Sequence, residues 1–184
     1  MIEEGKRTEA LRILRHQLYD SRELIIIDAY FFALPSKVTK EELINEMLDT
    51  LPNHIRRLLI ITSMKNNFTN IYNEFERNFK RRFPNCQLDV ILLSKIHDRV
   101  WINDSNDYLI VGTSFNGLGK SFSFIYSIKE NRNKRKVNNY FIRKIRASKV
   151  KLPINNQEII DKELKDNYLN YFIERNKSLG EEIW

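Results

Sequence analysis

Three short runs of nearly continuous aliphatic residues constrain this chain most: Leu24-Ile25-Ile26-Ile27, Leu58-Leu59-Ile60-Ile61 and Val90-Ile91-Leu92-Leu93. A strand with one face in water alternates apolar and polar residues, whereas a run apolar at every position belongs in a sheet covered on both faces. The segments between the runs have the complementary, helical pattern. Thr39 followed by Glu42 forms a capping-box sequence before Leu43, Met47 and Leu51, and Pro52 stops that helix. Ile71, Phe75, Phe79 and Phe83 recur at near-helical spacing over 69–83, a core stripe that ends in Lys80-Arg81-Arg82, where a helix dipole favours cations, and at Pro84. Leu11, Leu14 and Leu18, with Ala10 alongside, predict an earlier helix over 6–19 whose polar side carries Lys6, Arg7, Arg12 and Arg15. Strands at 23–31, 57–62 and 87–93 separated by helices argue for an α/β fold, a sheet built from βα units with right-handed crossovers. At 184 residues the chain suits one domain with its own core.

The pattern changes after the third strand. His97-Asp-Arg99 leads into a short apolar run, the polar turn Asp104-Ser105-Asn106-Asp107, a second apolar run, and then Gly112-Thr113-Ser114-Phe115-Asn116-Gly117. This is the pattern of a hairpin with chemically useful groups at both ends. Residues i and i+2 of an extended chain share a face, so His97 pairs with Arg99 and Ser114 with Asn116. If the hairpin closes, these four side chains meet at one sheet edge. Three of the five glycines, Gly112, Gly117 and Gly119, fall within this stretch, as expected where backbone takes positive φ or approaches a ligand. Ser121 to Ser127 then alternates small polar and apolar residues, a strand with one face less buried.

Histidine, one residue, a cation, four residues and an aspartate, followed by a Ser-x-Asn motif, resemble the phospholipase D superfamily. His97, Arg99 and Asp104 fall at its first three positions, and Thr113-Ser114-Phe115-Asn116 is similar to its closing Gly-Ser-x-Asn. Three departures are visible: the family's lysine is Arg99, the gap before the closing motif is two residues longer with Gly112 displaced by one, and Ser121-Phe122-Ser123-Phe124 offers no glutamate. The resemblance implies a phospholipase D-like half over residues 21–128, a mixed sheet flanked by helices, after an N-terminal helix in 1–20 and before a basic segment and C-terminal helix, 129–184, packed on it. It implies that His97 attacks phosphorus or protonates the leaving oxygen, that Arg99 binds the non-bridging oxygens, that Ser114 and Asn116 add hydrogen bonds, and that Asp104 orients its neighbours. No cofactor or metal is called for. The chain has one copy of the motif where the chemistry uses two histidines, so a homodimer with His97 residues paired across a two-fold axis is expected. A setting in bacterial antiviral defence is a further implication of the resemblance.

Charge narrows the substrate class. The formal net charge of +7 is concentrated in residues 129–151, which hold ten Lys or Arg against one acid, Glu130. Such a patch suits a polyanion. Arg132, Lys134, Arg135, Lys136, Arg143, Lys144 and Arg146 are the candidate contacts to DNA or RNA. Val137, Phe141, Ile142 and Ile145 among them fit one face of a helix, with an edge strand as the alternative. A last helix over about 156–177, with a broad face from Ile159 to Ile173, either packs on the domain or docks a protein partner, and Trp184 is an anchor or overhang. Asp28, at the end of the first strand, either reaches the site or is hydrogen-bonded to a following loop. His16 reads as a surface residue, His54 lies in a connection with no carboxylate or second histidine nearby, and the single Cys86 forms no internal disulfide. No apolar run approaches the roughly 20 residues of a membrane span, and the acidic start Met1-Ile2-Glu3-Glu4-Gly5 is unlike a signal peptide, so a cytoplasmic protein is the expectation. The leading reading is a nucleic-acid phosphodiesterase. The alternative is a catalytically silent domain of the same kind that binds phosphate or nucleic acid or assembles a larger complex.

Overall fold

A computed structural model describes residues 1–94, 96–147 and 162–180. Its centre is a six-stranded mixed sheet, and the aliphatic runs are its middle. In chain order the elements are α1 (Arg7–Leu18), β1 (Glu23–Asp28), α2 (Lys40–Thr50), β2 (Arg57–Thr62), α3 (Phe68–Arg82), β3 (Gln87–Leu92), β4 (Arg99–Asn103), β5 (Tyr108–Val111), β6 (Ile125–Ile128), α4 (Asn131–Ala147) and α5 (Lys162–Ser178). The strand order is β3-β2-β1-β4-β5-β6. β1, β2 and β3 run parallel, while β4 is antiparallel to β1, β5 to β4 and β6 to β5.

The continuous runs are buried from both sides, as the pattern requires. Leu58 to Ile61 have no exposed surface, and β1 is nearly as closed. Leu24 and Ile26 pack with α1, α2, α3 and Trp101; Ile25 and Ile27 pack with Phe141, Ile145, Leu169 and Phe172 of α4 and α5. Full burial of each such side chain contributes about 1.5–3 kcal/mol before the entropy of ordering is counted. The capping box forms: Thr39 Oγ1 accepts from the Glu42 N–H, and a Glu42 carboxylate oxygen accepts from the Thr39 N–H. The phenylalanine stripe of α3 is core, with Phe75 and Phe79 fully covered and Phe83 nearly so.

Residues 131–147 are helical throughout, which decides between helix and edge strand for the basic segment. The last helix is seen from Lys162. Its expected start near Asn156, with Ile159 and Ile160, and Trp184 lie outside the described residues. The sixth strand is shorter than the alternating sequence predicts: before Ile125, Ser123 bridges to Ile2 and the Phe124 carbonyl accepts from the Gly112 N–H at 2.8 Å. No helix among the described residues is long and apolar enough to cross a membrane.

Strand directions decide what can meet. The carboxyl ends of β1, β2, β3 and β5 and the amino ends of β4 and β6 share one edge of the sheet. Open α/β sheets bind ligands at such edges.

Candidate functional site

The hairpin forms as expected, with Val100 opposite Ile110 and Ile102 opposite Tyr108, and the β1–β4 register sets Arg99 opposite Asp28. His97 immediately precedes β4 and Ser114 follows β5, so His97, Arg99 and Ser114 belong to the same edge. His97 is exposed, and Arg99 and Ser114 are half-buried. The Nε of Arg99 is buried without a hydrogen-bond partner among the described residues, as are those of Arg57 and Arg135.

Asn116 sits at this edge too, but its side chain is turned inward. It is 7% exposed, and its amide donates to the Tyr30 carbonyl at 2.6 Å and to the Ala33 carbonyl, with Phe31 O a further 3.4 Å contact. The amide therefore ties the loop after β5 to the loop after β1. Asp28 makes the second tie. One carboxylate oxygen accepts from the Phe115 N–H at 2.6 Å and the other from the Tyr30 N–H at 2.9 Å. Complete burial pushes its pKa up to about 6, against the lowering effect of those two N–H groups and of Arg99. Of the two sequence options for Asp28, the loop-bonded carboxylate is the one observed.

Asp104 does not join the edge. It lies at the far end of β4, five residues or about 16 Å of strand from Arg99, where its carboxylate accepts from the Arg22 N–H at 3.2 and 3.3 Å. Whatever it orients is at that end.

The helix α4 completes the edge. A cavity of about 470 Å³ is lined by His97, Asp98 and Arg99 at the start of β4, Val111 and Gly112 at the end of β5, Phe124 before β6, and Lys136 and Tyr140 on α4. The Tyr140 hydroxyl is pushed up to about 12, by desolvation first and then by its hydrogen bond with Asp98 and that group's negative charge. An imidazole and two cations around one opening can hold a dianionic or diester phosphate. Gly112 has a steric role here: a Cβ would come within 2.8 Å of the Phe124 ring.

The other predicted contacts on α4 divide by position. Lys136, Arg132, Arg143 and Arg146 are exposed. Arg135 instead donates to the Leu179 carbonyl at 3.2 Å, fastening α4 to the end of α5. Lys134 Nζ lies 5.8 Å from the centre of the Tyr108 ring, and Lys144 Nζ 5.4 Å from that of Tyr140.

Sequence reasoning passed over two groups. Tyr140 and Asp98 have no spacing that marks them, because they meet only when α4 folds back over β4. Arg7 reads as one more cation on a polar helix face. It bonds Glu46 at 2.6 Å and donates to the carbonyls of Phe115 at 3.1 Å and Leu118 at 3.0 Å, clamping the loop that carries Ser114 and Asn116.

A larger cavity, about 640 Å³, opens at the opposite edge between Glu23, Arg57, Asp89, Asp104 and α5. Arg57 there lies 3.9 Å from the centre of the Tyr171 ring, its Nε buried without a hydrogen-bond partner among the described residues, and Arg175 donates to Asn103 O and Asn106 Oδ1. Cys86 is a free thiol that burial pushes up to about 11, too high for a thiolate near neutrality. Among the described residues no group of three or more His, Cys, Asp or Glu could hold a metal ion.

The sequence matches no model of a known protein family and no curated protein. The functional reading therefore rests on the edge itself and on its likeness to the His-x-Lys motif.

Proposed function

We propose that the protein is a phosphodiesterase acting on nucleic acid, with His97 as nucleophile and a second His97, from another copy of the chain, as general acid. The observation that carries the reading is the gathering of His97, Arg99 and Lys136 around one opening at the carboxyl edge of the sheet. His97 offers an exposed imidazole, and the half-buried Arg99 lines the same opening.

In the first step the neutral imidazole nitrogen of His97 forms a bond to phosphorus as the bond from phosphorus to the leaving oxygen breaks. The second histidine, as imidazolium, gives that oxygen its proton. In the second step a water oxygen bonds to phosphorus as the phosphorus–nitrogen bond to His97 breaks, and the water's proton passes to the now neutral second histidine, so both groups return to their starting states. Arg99 and Lys136 bear on the non-bridging oxygens, where charge grows in the transition state, and Ser114 adds a donor. Cations and donors of the protein can carry this charge without calling on a metal. Asn116 and Asp28 are positioning residues, which hold the loops after β1 and β5 together. Because each chain brings one His97, an isologous dimer completes the site.

A second reading has its own observation. With the Asn116 amide committed to backbone carbonyls and Asp104 at the far end of β4, fewer polar groups face the opening than the sequence motif promises. On that reading the same edge binds phosphate and does not cleave it, and the domain serves binding or assembly.

The test is hydrolysis of single-stranded DNA, RNA and bis(p-nitrophenyl) phosphate in EDTA by the wild-type chain and by His97→Ala. Cleavage lost in the variant supports the enzyme. Phosphate-dependent binding with no cleavage above the variant supports the silent domain.

A further inference from the structure

The edge strand beside the cavity carries an unexplained feature. Phe122 is 65% exposed, Phe124 46% and Tyr126 59%, at alternate positions of Ser121-Phe-Ser-Phe-Ile-Tyr-Ser127. Their neighbours face inward: Ser123 is buried and pairs with Ile2, and Ile125 packs on the core beneath α1 to α3. Tyr126 lies on β6, Phe124 just precedes the strand and Phe122 sits in the bend before it, so the three exposed rings follow one another along this stretch of chain. β6 is the last strand in the sheet order, and three exposed aromatic rings on and just before an edge strand are a liability that chains normally avoid.

The row has a cationic counterpart. At 100° per residue, Arg132, Lys136 and Arg143 fall within about 40° of arc on α4, and all three are exposed. Phe124 and Lys136 line the same cavity as His97 and Arg99, so the aromatic row and the cationic strip converge on one opening.

We propose that this surface is a groove for a single nucleic-acid strand, in which Phe122, Phe124 and Tyr126 stack unpaired bases while Arg132, Lys136 and Arg143 follow the phosphates toward His97. The inference rests on the nucleic-acid reading above and adds strand form to it. Two features argue for a single strand. A ring can stack on a base only if the base is out of a duplex, and Phe124 beside Lys136 at one opening offers a nucleotide one partner for its base and one for its phosphate. Stacking on aromatic rings tolerates any base, so little sequence preference is expected.

The test is fluorescence anisotropy with the full chain carrying His97→Ala. Three probes are used: a thymidine oligomer of roughly 15 nucleotides, near the upper limit of single-module site sizes; an abasic oligomer of the same length; and the matching duplex. The thymidine oligomer should bind at least about tenfold more tightly than the abasic one, which corresponds to the lower part of the stacking range. The duplex should also bind more weakly than the thymidine oligomer. Phe122→Ser and Tyr126→Ser, at exposed positions and checked for folding by circular dichroism, should each weaken thymidine binding by about 5- to 100-fold and leave abasic binding unchanged. Arg132→Glu with Lys136→Glu should weaken both single strands and make the slope of log affinity against log salt shallower by about 1.4. Light scattering should give the same mass for wild type and ring variants. Equal binding of duplex and single strand, or ring variants that bind as wild type, would overturn the proposal. So would ring variants whose dimer falls apart, because the row would then belong to a second copy. Single-strand preference in a protein that cleaves nothing would leave the groove standing and remove the catalytic reading. Cleavage of a small phosphodiester through His97 without strand preference would do the reverse.

Discussion

Asn116→Ala should destabilise the fold substantially, because the side chain that resembles a substrate-binding asparagine is bonded to the protein's own backbone. The size follows from its partners. Tyr30 O keeps a second donor, the Ala33 N–H at 3.0 Å, so losing the Asn116 amide there removes one ordinary hydrogen bond, worth about 1 kcal/mol. Ala33 O, the other main acceptor, loses its donor, at about 1–3 kcal/mol. The sum is a loss of about 2–4 kcal/mol, a large share of the 5–15 kcal/mol typical of a domain. Asn116→Asp should cost more, since it sets carboxylate oxygens against carbonyl oxygens at the same distances. Urea unfolding followed by circular dichroism measures both, with His97→Ala as the contrast, expected within about 0.5 kcal/mol because His97 is exposed. If Asn116→Ala unfolds at the wild-type urea midpoint, the tie between the two loops carries no weight and the residue returns to the list of groups free for substrate.

Asp28 should make stability depend on pH in an uncommon direction for a carboxylate. Its folded-state pKa of about 6 lies above the ordinary 3.8, so the folded chain binds the proton more tightly. The contribution is full below about pH 4 and is lost as pH rises through 6, on the order of 2–3 kcal/mol. Unfolding free energies from pH 4 to 7 should show this component in wild type and not in Asp28→Asn, and a parallel pair of curves would refute it. Gly119→Ala should be poorly tolerated. The residue has φ +70°, and a Cβ would meet Arg7 backbone atoms at 2.3 Å, whereas Gly180, at φ +76°, has nothing within 4 Å. Left-handed strain plus overpacking gives about 2–5 kcal/mol for Gly119 and about 1–2 for Gly180, read as the difference in melting temperature. Arg99→Ala should lower kcat/KM for a phosphodiester about 10²- to 10³-fold if Arg99 bears on transition-state charge, and a value near wild type would exclude that role.

The sheet was legible because aliphatic runs at every position leave few alternatives to a doubly covered strand, and the capping box and the phenylalanine stripe of α3 were legible because their signals are local. The hairpin could be read from its turn and its flanking apolar runs. The direction in which Asn116 points could not. Its neighbours Tyr30 to Ala33 lie more than eighty residues earlier, and a side chain that bonds distant backbone leaves no spacing in the sequence. The same holds for Arg7, whose role depends on Glu46 and on a loop near residue 115. Asp104 shows the converse. Five residues from Arg99 is close in sequence, yet along an extended strand it separates the two by the length of β4. The cations of α4 were legible as a group, while their division into Arg135 bonded to α5 and Lys136 at the cavity required the helix to be placed.

The most direct test of the catalytic claim is trapping the covalent step. The wild-type chain, mixed in EDTA with a single-stranded DNA oligonucleotide and quenched in alkali, should carry an oligonucleotide fragment joined through its phosphorus to His97, stable to base and labile to acid, that is absent from His97→Ala and forms no more slowly than product. Product formation without any adduct on His97 would contradict the account.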